Sequence, residues 1–338
     1  MSILIGSVPV RNRVLLAPMS GVSDAPFRTL AHAWGAGLVV SEMVASEELA
    51  RSRADVLRRA AGAGRVSPLV IQLAGREPHW MAEGACIARD LGADVIDINM
   101  GCPARQVTGG WSGSALMRNL DHAETLIEAT VKAVAVPVTV KMRLGWDDAN
   151  RNAPELARRA EAVGARAITV HGRTRCQFYK GSADWKAISA VRAATSLPLV
   201  ANGDCRSLAD VKAMLDASGA DAAMVGRGGY GRPWLPGLLA EALEQGTGRT
   251  APTPAERRSL ILAHYRDMLD FYGEGLGLRV ARKHVGWYLE TAVEDGLMDR
   301  TGAGEWRARL CRDENPQAVL DGLAEVFDPG AWPLRDAA

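Results

Sequence analysis

The chain has 338 residues, of which 48% are hydrophobic and 23% are charged, and its formal net charge is +1. This composition is typical of a globular protein and argues against a disordered chain or a strongly basic nucleic-acid binder. No apolar run is long enough to span a bilayer, and the N-terminus does not resemble a signal peptide, so we expect a cytoplasmic protein without a membrane segment.

The cysteines are widely spaced, and no two of them form a C-x-x-C pair. A disulfide framework or a zinc site is therefore not expected, and we predict free thiols and no bound metal.

Short aliphatic segments recur through the first 230 residues in a pattern typical of strands buried on both faces. They span residues 14–19, 37–43, 68–75, 94–101, 137–145, 167–174, 198–204 and 222–228. Segments with helical periodicity lie between them, at 46–62, 153–165 and 207–220 among others, and Ser207 is a predicted N-cap. Eight strands alternating with helices predict a (β/α)₈ TIM barrel, with an open doubly wound sheet as the main alternative.

The composition changes after Gly246. Residues 245–256 are rich in Gly, Thr and Pro and are typical of a linker. Helical patterns follow at roughly 254–273, 277–296, 304–313 and 316–328, and no strand is evident. We predict a catalytic barrel over 1–246, then a linker and a small all-α domain over 247–338.

The predicted helical domain carries more acidic than basic residues, so it is not basic as a whole. Residues 279–288 are an exception within it. Arg279, Arg282 and Lys283 lie there beside an aromatic pair and could face a polyanion.

Nearly every predicted strand ends in a side chain that can take part in chemistry. In a barrel these ends converge on one face, where such enzymes keep their active sites. The residues concerned are Met19, Glu42, Gln72, Asn99, Cys102, Lys141, Arg143, His171, Asn202, Asp204 and Arg227.

The ends of the last two predicted strands, "ANGD" at 201–204 and "VGRGG" at 225–229, are rich in glycine. Barrels often bind phosphate at this place through backbone N–H groups, and Arg227 would add a complementary charge. Tight turns without a ligand are the alternative interpretation.

Lys141 lies inside a predicted strand, where an unpaired ammonium would be costly. It could form a Schiff base, bind a phosphate or flavin edge as a cation, or pair with a carboxylate across the barrel. His171 ends a strand and could be structural or catalytic. The loop after it holds Arg173, Arg175 and other basic and aromatic residues that suit a nucleic-acid backbone, although a solvated loop would have the same composition.

Gln72 and Asn99 are neutral amides that could bind a heterocycle edge or satisfy backbone groups of the barrel. Cys102 stands between Gly101 and Pro103 directly after a strand. A thiol there could donate a proton or act as a thiolate nucleophile. No His, Asp or Asn directly beside it suggests a nucleophilic pair, although His171 could approach, so acid catalysis is the favoured interpretation.

These motifs, taken in order, resemble the tRNA-dihydrouridine synthases, and the tail segment "RVARKHVGWYL" resembles the bacterial B-type subgroup. The segments that carry the resemblance are "APMSGVSDAPFR" (17–28), "QLAG" (72–75), "DINMGCPARQV" (97–107), "KMRLGWD" (141–147), "HGRTRCQFYKGSADW" (171–185), "NGD" (202–204) and "GRGGYGRPW" (226–234). One departure is that Arg105 and Gln106 stand where this subgroup often has paired lysines.

The resemblance implies an FMN-dependent barrel that reduces the C5–C6 bond of a uridine in the tRNA D-loop. NADPH or NADH would be the reductant, the helical domain would bind the tRNA, and no obligate protein partner is expected. Subgroup likeness leans toward position 17.

The resemblance also implies roles for individual residues. Cys102 would be the proton donor, and Asn99 would help to position the uracil. Cofactor-binding residues would be Ala17, Pro18, Met19, Gln72, Lys141, His171, Asn202, Gly203, Asp204, Gly226 and Arg227. Substrate-binding residues, besides Asn99, would be Arg143, Arg173, Arg175, Arg279, Arg282 and Lys283.

Three other functions are compatible with parts of the sequence. A dihydroorotate dehydrogenase-like FMN barrel would act on a small pyrimidine and would not need the helical tail. A Schiff-base lyase would be centred on Lys141. An RNA-binding protein on a barrel that has lost its catalysis would not need Cys102.

Overall fold

The computed structural model describes residues 3–246 and 251–331, and residues 3–246 form a parallel β-barrel with a short hairpin before it. The strands are β1 (Ile3–Ile5), β2 (Val8–Val10), β3 (Val14–Leu16), β4 (Val40–Ala45), β5 (Val70–Ala74), β6 (Val95–Met100), β7 (Val138–Arg143), β8 (Ala167–His171), β9 (Leu199–Asn202) and β10 (Ala222–Val225). Strands β3 to β10 correspond to the eight predicted segments.

The sheet of β3 to β10 closes on itself. Each strand from β4 to β10 pairs in parallel with the next, and β10 pairs with β3. The remaining gap between β3 and β4 is bridged, because the Leu16 N–H donates to the Leu38 carbonyl at 2.8 Å and the Gly37 N–H to the Val14 carbonyl at 2.8 Å. The predicted barrel is therefore confirmed, and the open doubly wound sheet is wrong.

The antiparallel hairpin of β1 and β2 was not predicted from the sequence. Its strands have three residues each, too few to show a periodic pattern. Ile3, Ile5 and Val10 pack against residues at the amino ends of the barrel strands, including Val95 and Val200. The hairpin therefore closes the end of the barrel opposite the strand carboxyl ends.

Helices surround the barrel and form the part of the tail that the structure describes. The helices are α1 (Ala25–Ala33), α2 (Ser46–Ala50), α3 (Ala54–Ala60), α4 (Pro78–Asp90), α5 (Arg105–Thr108), α6 (Leu120–Ala133), α7 (Ala153–Ala162), α8 (Ser189–Ala194), α9 (Leu208–Ser218), α10 (Leu235–Gln245), α11 (Pro254–Tyr272), α12 (Glu274–Glu294), α13 (Arg300–Leu310) and α14 (Pro316–Val326). Ser207 caps α9 in a capping box with Asp210, as predicted.

The helix predicted over residues 46–62 is wrong in one respect, because the segment forms two helices, α2 and α3. Ser52 lies between them with φ of 55°, in the left-handed region. A helix cannot continue through that conformation, and no Gly or Pro stands at or beside Ser52 to mark the break.

Residues 251–331 contain helices and no strand, in agreement with the predicted all-α tail. Within the predicted linker and tail, residues 247–250 and 332–338 lie outside the described residues. The domain boundary at Gly246 stays a prediction. In the described ranges, no helix is both long enough and apolar enough to cross a bilayer.

Candidate active site

A cavity opens at the carboxyl ends of the barrel strands, and most of the predicted site residues line it. The predicted residues in its wall are Ala17, Pro18, Met19, Gln72, Asn99, Cys102, Lys141, Arg143, His171, Asn202, Gly203, Asp204, Gly226 and Arg227. The cavity wall also contains residues that were not predicted from the sequence, among them Met43, Cys205, Arg206 and Tyr230. Met43 lies within β4 and the other three lie in the segments after β9 and β10, and nothing in their local sequence distinguishes them from packing residues.

Hydrogen bonds hold the backbone of Cys102 through both its N–H and its carbonyl group. The Cys102 N–H donates to Asn99 Oδ1 at 2.9 Å, and the Cys102 carbonyl accepts from Ser114 Oγ at 2.8 Å. Gly113 has φ of 60°, and a Cβ there would lie 2.8 Å from the Cys102 carbonyl oxygen. These contacts fix the backbone of Cys102, and the residue lines the cavity.

A buried chain of hydrogen bonds leads from the barrel interior to the Cys102 loop. Asp97 accepts from Thr139 Oγ1 at 2.6 Å and from Gln72 Nε2 at 2.7 Å. The Gln72 carbonyl oxygen then accepts from Asn99 Nδ2 at 2.7 Å. Gln72 and Asn99 therefore bond to each other and, through Asn99, to the backbone of Cys102.

Asp97 was not predicted as a site residue, because a carboxylate in mid-strand looks like any polar interruption. Burial raises the pKa of Asp97, against the opposing effects of its two hydrogen bonds and of Lys141. Its position at the base of the amide chain makes it part of the site.

Lys141 lies in the barrel interior with a neutral partner. Its ammonium donates to Asn202 Oδ1 at 3.1 Å, while Asn202 Nδ2 donates to the Met224 carbonyl. No carboxylate of the described residues lies within 4.0 Å of the ammonium, so the structural ion pair considered from the sequence does not form. Burial lowers the pKa of Lys141 to about 8.

His171 faces the same cavity as a neutral base. Burial, together with Arg143, Lys141, Arg173 and Arg227, lowers the pKa of its imidazole well below the usual value. At neutral pH this side chain therefore serves as a hydrogen-bonding group and adds no positive charge.

The end of β9 is fixed by an ion pair. Arg173 is buried and donates to both oxygens of Asp204, at 3.0 and 2.6 Å. Burial alone would raise the pKa of Asp204, but hydrogen bonds from Arg173 and the Ala183 N–H outweigh it and lower that pKa. Arg227 stands 3.7 Å from the same carboxylate and lies over the Tyr179 ring at 4.4 Å, with its side chain 41% exposed.

Arg143 joins the Cys102 loop to the loop after β8. Its guanidinium donates to the Gly101 carbonyl at 2.8 Å and to the carbonyls of Thr174 and Phe178 at 2.9 and 2.8 Å. Phe178 and Tyr179 of that second loop are exposed and line the cavity mouth.

The remaining predicted substrate-binding residues lie away from the cavity wall. Arg173 is committed to Asp204, and Arg175 packs over the Trp146 ring at 4.8 Å. Arg279 is exposed on α12, and Arg282 is half-buried on the same helix. Lys283 reaches the barrel, with its Nζ 3.5 Å from the position of a Cβ on Gly21, in the loop that follows β3.

The charges around the cavity suit an anionic group. Lys141, Arg143, Arg206 and Arg227 face it, and the carboxylate in its wall, Asp204, is already paired with Arg173. A phosphorylated ligand would find unused N–H donors on Lys141 and Arg227. Over the residues that the structure describes, no group of three His, Cys, Asp or Glu side chains is placed to hold a metal ion.

A family profile and individual relatives both match this chain to the dihydrouridine synthases. The sequence profile described as "Dihydrouridine synthase (Dus)" matches residues 15–323. A "Probable tRNA-dihydrouridine synthase" from Rhizobium leguminosarum bv. phaseoli is 56% identical over 97% of this chain and 99% of its own length. A "tRNA-dihydrouridine synthase B" from Xanthomonas axonopodis pv. citri is 44% identical, with 99% of both chains covered.

Solved structures of lower similarity share the fold. A morphinone reductase variant in complex with tetrahydroNAD superposes with a TM-score of 0.52 at 16% identity, covering 76% of this chain and 93% of that one. Histamine dehydrogenase from Rhizobium sp. 4-9 gives a TM-score of 0.55 at 16% identity, over 78% of this chain and 50% of that one. At this identity the likeness concerns the barrel architecture alone.

Proposed function

The chain belongs to the dihydrouridine synthase family, and on that premise we propose that it is a tRNA-dihydrouridine synthase. In this proposal it reduces the C5–C6 double bond of a uridine in the D-loop of tRNA, with FMN as cofactor and NADPH or NADH as reductant. One observation carries the proposal: Cys102 and the cationic residues Lys141 and Arg227 line a single cavity at the carboxyl ends of the strands.

The cavity residues divide into three groups by what they would hold. Lys141, Gln72 and His171 line the cavity and would supply hydrogen-bonding groups for the polar edge of a flavin ring, and Ala17 to Met19 would form part of its wall. Asn202, Gly203 and Asp204 would hold the ribityl chain. Gly226 and Arg227 would hold the phosphate, since a Cβ on Gly226 meets nothing closer than 3.9 Å and leaves the backbone open to a ligand.

When bound, FMN supplies a hydride to one carbon of the uracil double bond and is reduced again by the nicotinamide. The chain itself has to deliver a proton to the other carbon. A thiol is neutral near pH 7 and can give up that proton, whereas an exposed carboxyl group would already be ionised. Cys102 is the proton donor of the proposal because it is a thiol residue of the cavity wall whose backbone is fixed by Asn99 and Ser114.

A uridine within folded RNA has to leave its stack before it can enter this cavity. The exposed side chains at the mouth, Phe178 and Tyr179, are aromatic and can receive an extruded base. Arg279 on α12 is exposed and would contact phosphates without reading sequence. We also propose that the enzyme acts in the cytoplasm and that residues after Gly246 serve in tRNA binding.

The test replaces Cys102 with alanine and measures the two half-reactions separately. We expect C102A to keep its flavin and to oxidise NADPH normally, while dihydrouridine formation falls by about 10²- to 10⁴-fold, the usual contribution of a general acid. Dihydrouridine is quantified in an unmodified tRNA transcript by mass spectrometry.

Cys176→Ala is the matched control, because Cys176 is an exposed thiol on the loop after β8 and does not line the cavity. It should behave as the wild type. Equal loss of NADPH oxidation and of tRNA reduction in C102A would contradict its role as the uracil acid. A wild-type protein that releases no flavin on denaturation would contradict the proposed function itself.

A Schiff-base lyase centred on Lys141 is the second candidate, because burial lowers the pKa of this amine to about 8 and so favours a nucleophile. Borohydride trapping distinguishes it. Covalent capture of a carbonyl substrate on Lys141 would favour the lyase, while a protein that binds FMN and remains unlabelled would favour the synthase.

A further inference from the structure

Exposed aromatic side chains lie on two loops at the carboxyl ends of the strands, the loop after β6 and the loop after β8. Among the large hydrophobic side chains that the described residues expose, the aromatic ones are Trp111, Phe178 and Tyr179. Trp111 lies in the loop after β6 and is 59% exposed. Both Trp111 and Phe178 adopt positive φ, at 59° and 54°, a conformation that bulky residues rarely take.

Trp111 is one end of a stack of alternating aromatic and cationic side chains. The Arg118 guanidinium lies 5.5 Å from the Trp111 ring and 4.9 Å from the Trp146 ring, and Arg175 covers Trp146 at 4.8 Å. These four residues, which we call the Trp–Arg stack, join the loops that follow β6, β7 and β8. Trp111 ends the stack and leaves more than half of its surface to solvent.

The two arginines of the stack have no acidic partner within 4.0 Å among the residues described. Guanidinium groups on the outer helices are different, for example Arg158 and Arg159, which both pair with Glu155 on α7. Cations that are held in place over indole rings without a carboxylate keep their charge available for an anion from outside.

The Trp–Arg stack is adjacent to the proposed proton donor. Two residues after Trp111, Gly113 packs so closely on Cys102 that a Cβ there would lie 3.2 Å from the Cys102 Cβ. Arg175 also reaches Thr108, in the short helix that follows Cys102, at 3.5 Å. A nucleic acid that places one base against Cys102 therefore brings a neighbouring nucleotide close to the Trp–Arg stack.

We propose that Trp111 is a stacking platform for a second base of the tRNA, beside the uridine that is reduced, and that Arg118 and Arg175 bind the adjacent phosphates. This inference rests on the proposed function and adds a substrate contact to it. An indole face accepts any base by stacking, and the cations beside it complement the backbone, which is the chemistry of a single-stranded nucleic-acid site. Because the nucleotides next to an extruded uridine are unstacked, they gain from such a platform.

The test measures the affinity of holoenzyme for an unmodified tRNA transcript by filter binding at several salt concentrations. We expect Trp111→Ala to weaken binding about 5- to 150-fold, the range for loss of one stacked base, and Trp111→Phe to stay within about threefold of the wild type. Leu4→Ala is the control, because Leu4 is an equally exposed apolar residue on β1 at the opposite end of the barrel. Unchanged flavin content shows that each variant is folded.

The salt dependence separates stacking from charge. Trp111→Ala should lower the affinity at every salt concentration and leave the slope of log K against log salt unchanged, whereas Arg118→Gln should reduce that slope by about 0.7 to 0.9. Wild-type affinity in W111A, or a raised KM for NADPH with unchanged tRNA affinity, would overturn the inference while the proposed function stands. A wild-type holoenzyme that forms no dihydrouridine would overturn both.

Discussion

Asp97 shows how one buried carboxylate can determine the orientation of several neutral groups. A carboxylate accepts hydrogen bonds and donates none, so the Gln72 side chain must turn its NH₂ toward Asp97 and its oxygen toward Asn99. Asn99 must then present its own oxygen to the Cys102 N–H. Asp97, at the buried end of this chain of amides, therefore determines which group donates and which accepts in each hydrogen bond.

Removing this carboxylate should therefore disorder the Cys102 loop. We expect Asp97→Ala to lower dihydrouridine formation by about tenfold or more and to lower the free energy of unfolding by about 1–3 kcal/mol, since it leaves Gln72 and Thr139 without a partner. Asp97→Asn should restore most of the activity, because its carbonyl still accepts from Gln72 while the Thr139 hydroxyl rotates to accept from its NH₂. Turnover and denaturant unfolding measure the two effects.

Asp94→Ala is the control for this pair, because Asp94 lies just before the other end of the same strand, where it accepts the Leu69 N–H. The Asp94→Ala variant should have a lower free energy of unfolding and unchanged dihydrouridine formation. If Asp97→Asn is as inactive as Asp97→Ala, the negative charge beside Lys141 is what matters, and the proposed orientation of the amides is contradicted.

Much of the site was predictable from the sequence because strand ends carry it. Gln72, Lys141, His171 and Asn202 were all found from their positions within or at the ends of aliphatic runs, and all line the cavity. The partner of each polar group was not predictable. Whether Asn99 contacts a heterocycle or a backbone N–H depends on the register between neighbouring strands. That register cannot be read from the sequence of one segment alone.

Among the elements, the contact between α1 and the helices of the tail contains an unusual buried acid. Asp24 caps α1 by accepting the Phe27 N–H at 3.0 Å and also accepts from the Tyr272 hydroxyl of α11 at 2.9 Å. Burial, helped by Glu42, raises the pKa of Asp24 to about 6. The folded protein therefore binds a proton there more tightly than the unfolded chain, whose value is near 3.8.

This raised pKa has a definite effect on stability. Between about pH 4 and pH 6 the native state holds a proton that the unfolded state has lost, so this group stabilises the fold at low pH and the contribution is lost as pH rises through 6. Asp24→Asn keeps the cap and cannot ionise. We expect its stability relative to the wild type to increase by on the order of 2 kcal/mol between pH 4 and pH 7.

Denaturant unfolding of both proteins at the two pH values measures this difference. Asp270→Asn, which removes an exposed acid from the same α11 helix, serves as the control and should leave the pH dependence as it is. A constant difference between Asp24→Asn and the wild type from pH 4 to pH 7 would show that Asp24 titrates normally.

Element boundaries were less predictable than element types. The eight barrel strands and the four tail helices were found, because long periodic segments and aliphatic runs are strong signals. The break between α2 and α3 was missed because it depends on one serine, Ser52, in a left-handed conformation. The β1–β2 hairpin was missed because its apolar residues are buried against residues at the amino ends of the barrel strands, and its own short sequence shows no periodic pattern.

At the scale of the whole molecule, the tail and the barrel share one hydrophobic core. Phe27 of α1 packs against His264 and His284 of the tail, with ring centroids 5.8 and 5.7 Å apart. The Tyr230 ring, in the cavity wall, stacks on Trp287 of α12 at 4.3 Å. The tail therefore supports the cavity directly, so a deletion of the tail would expose this core and would not isolate its role in RNA binding.

Point substitutions on α12 test that role with the fold intact. Arg279 is exposed there and has no acidic partner within 4.0 Å in the described ranges, and Lys283 lies beside the loop after β3. If both contact phosphates, Arg279→Gln and Lys283→Gln should each lower the slope of log K against log salt for tRNA by about 0.7 to 0.9, and the double variant should lower it by about twice that. Arg309→Gln on α13 is the matched control, because this exposed arginine is already 3.6 Å from Glu325. Unchanged slopes in both α12 variants, with normal flavin content, would mean that the tail stabilises the barrel without binding the RNA.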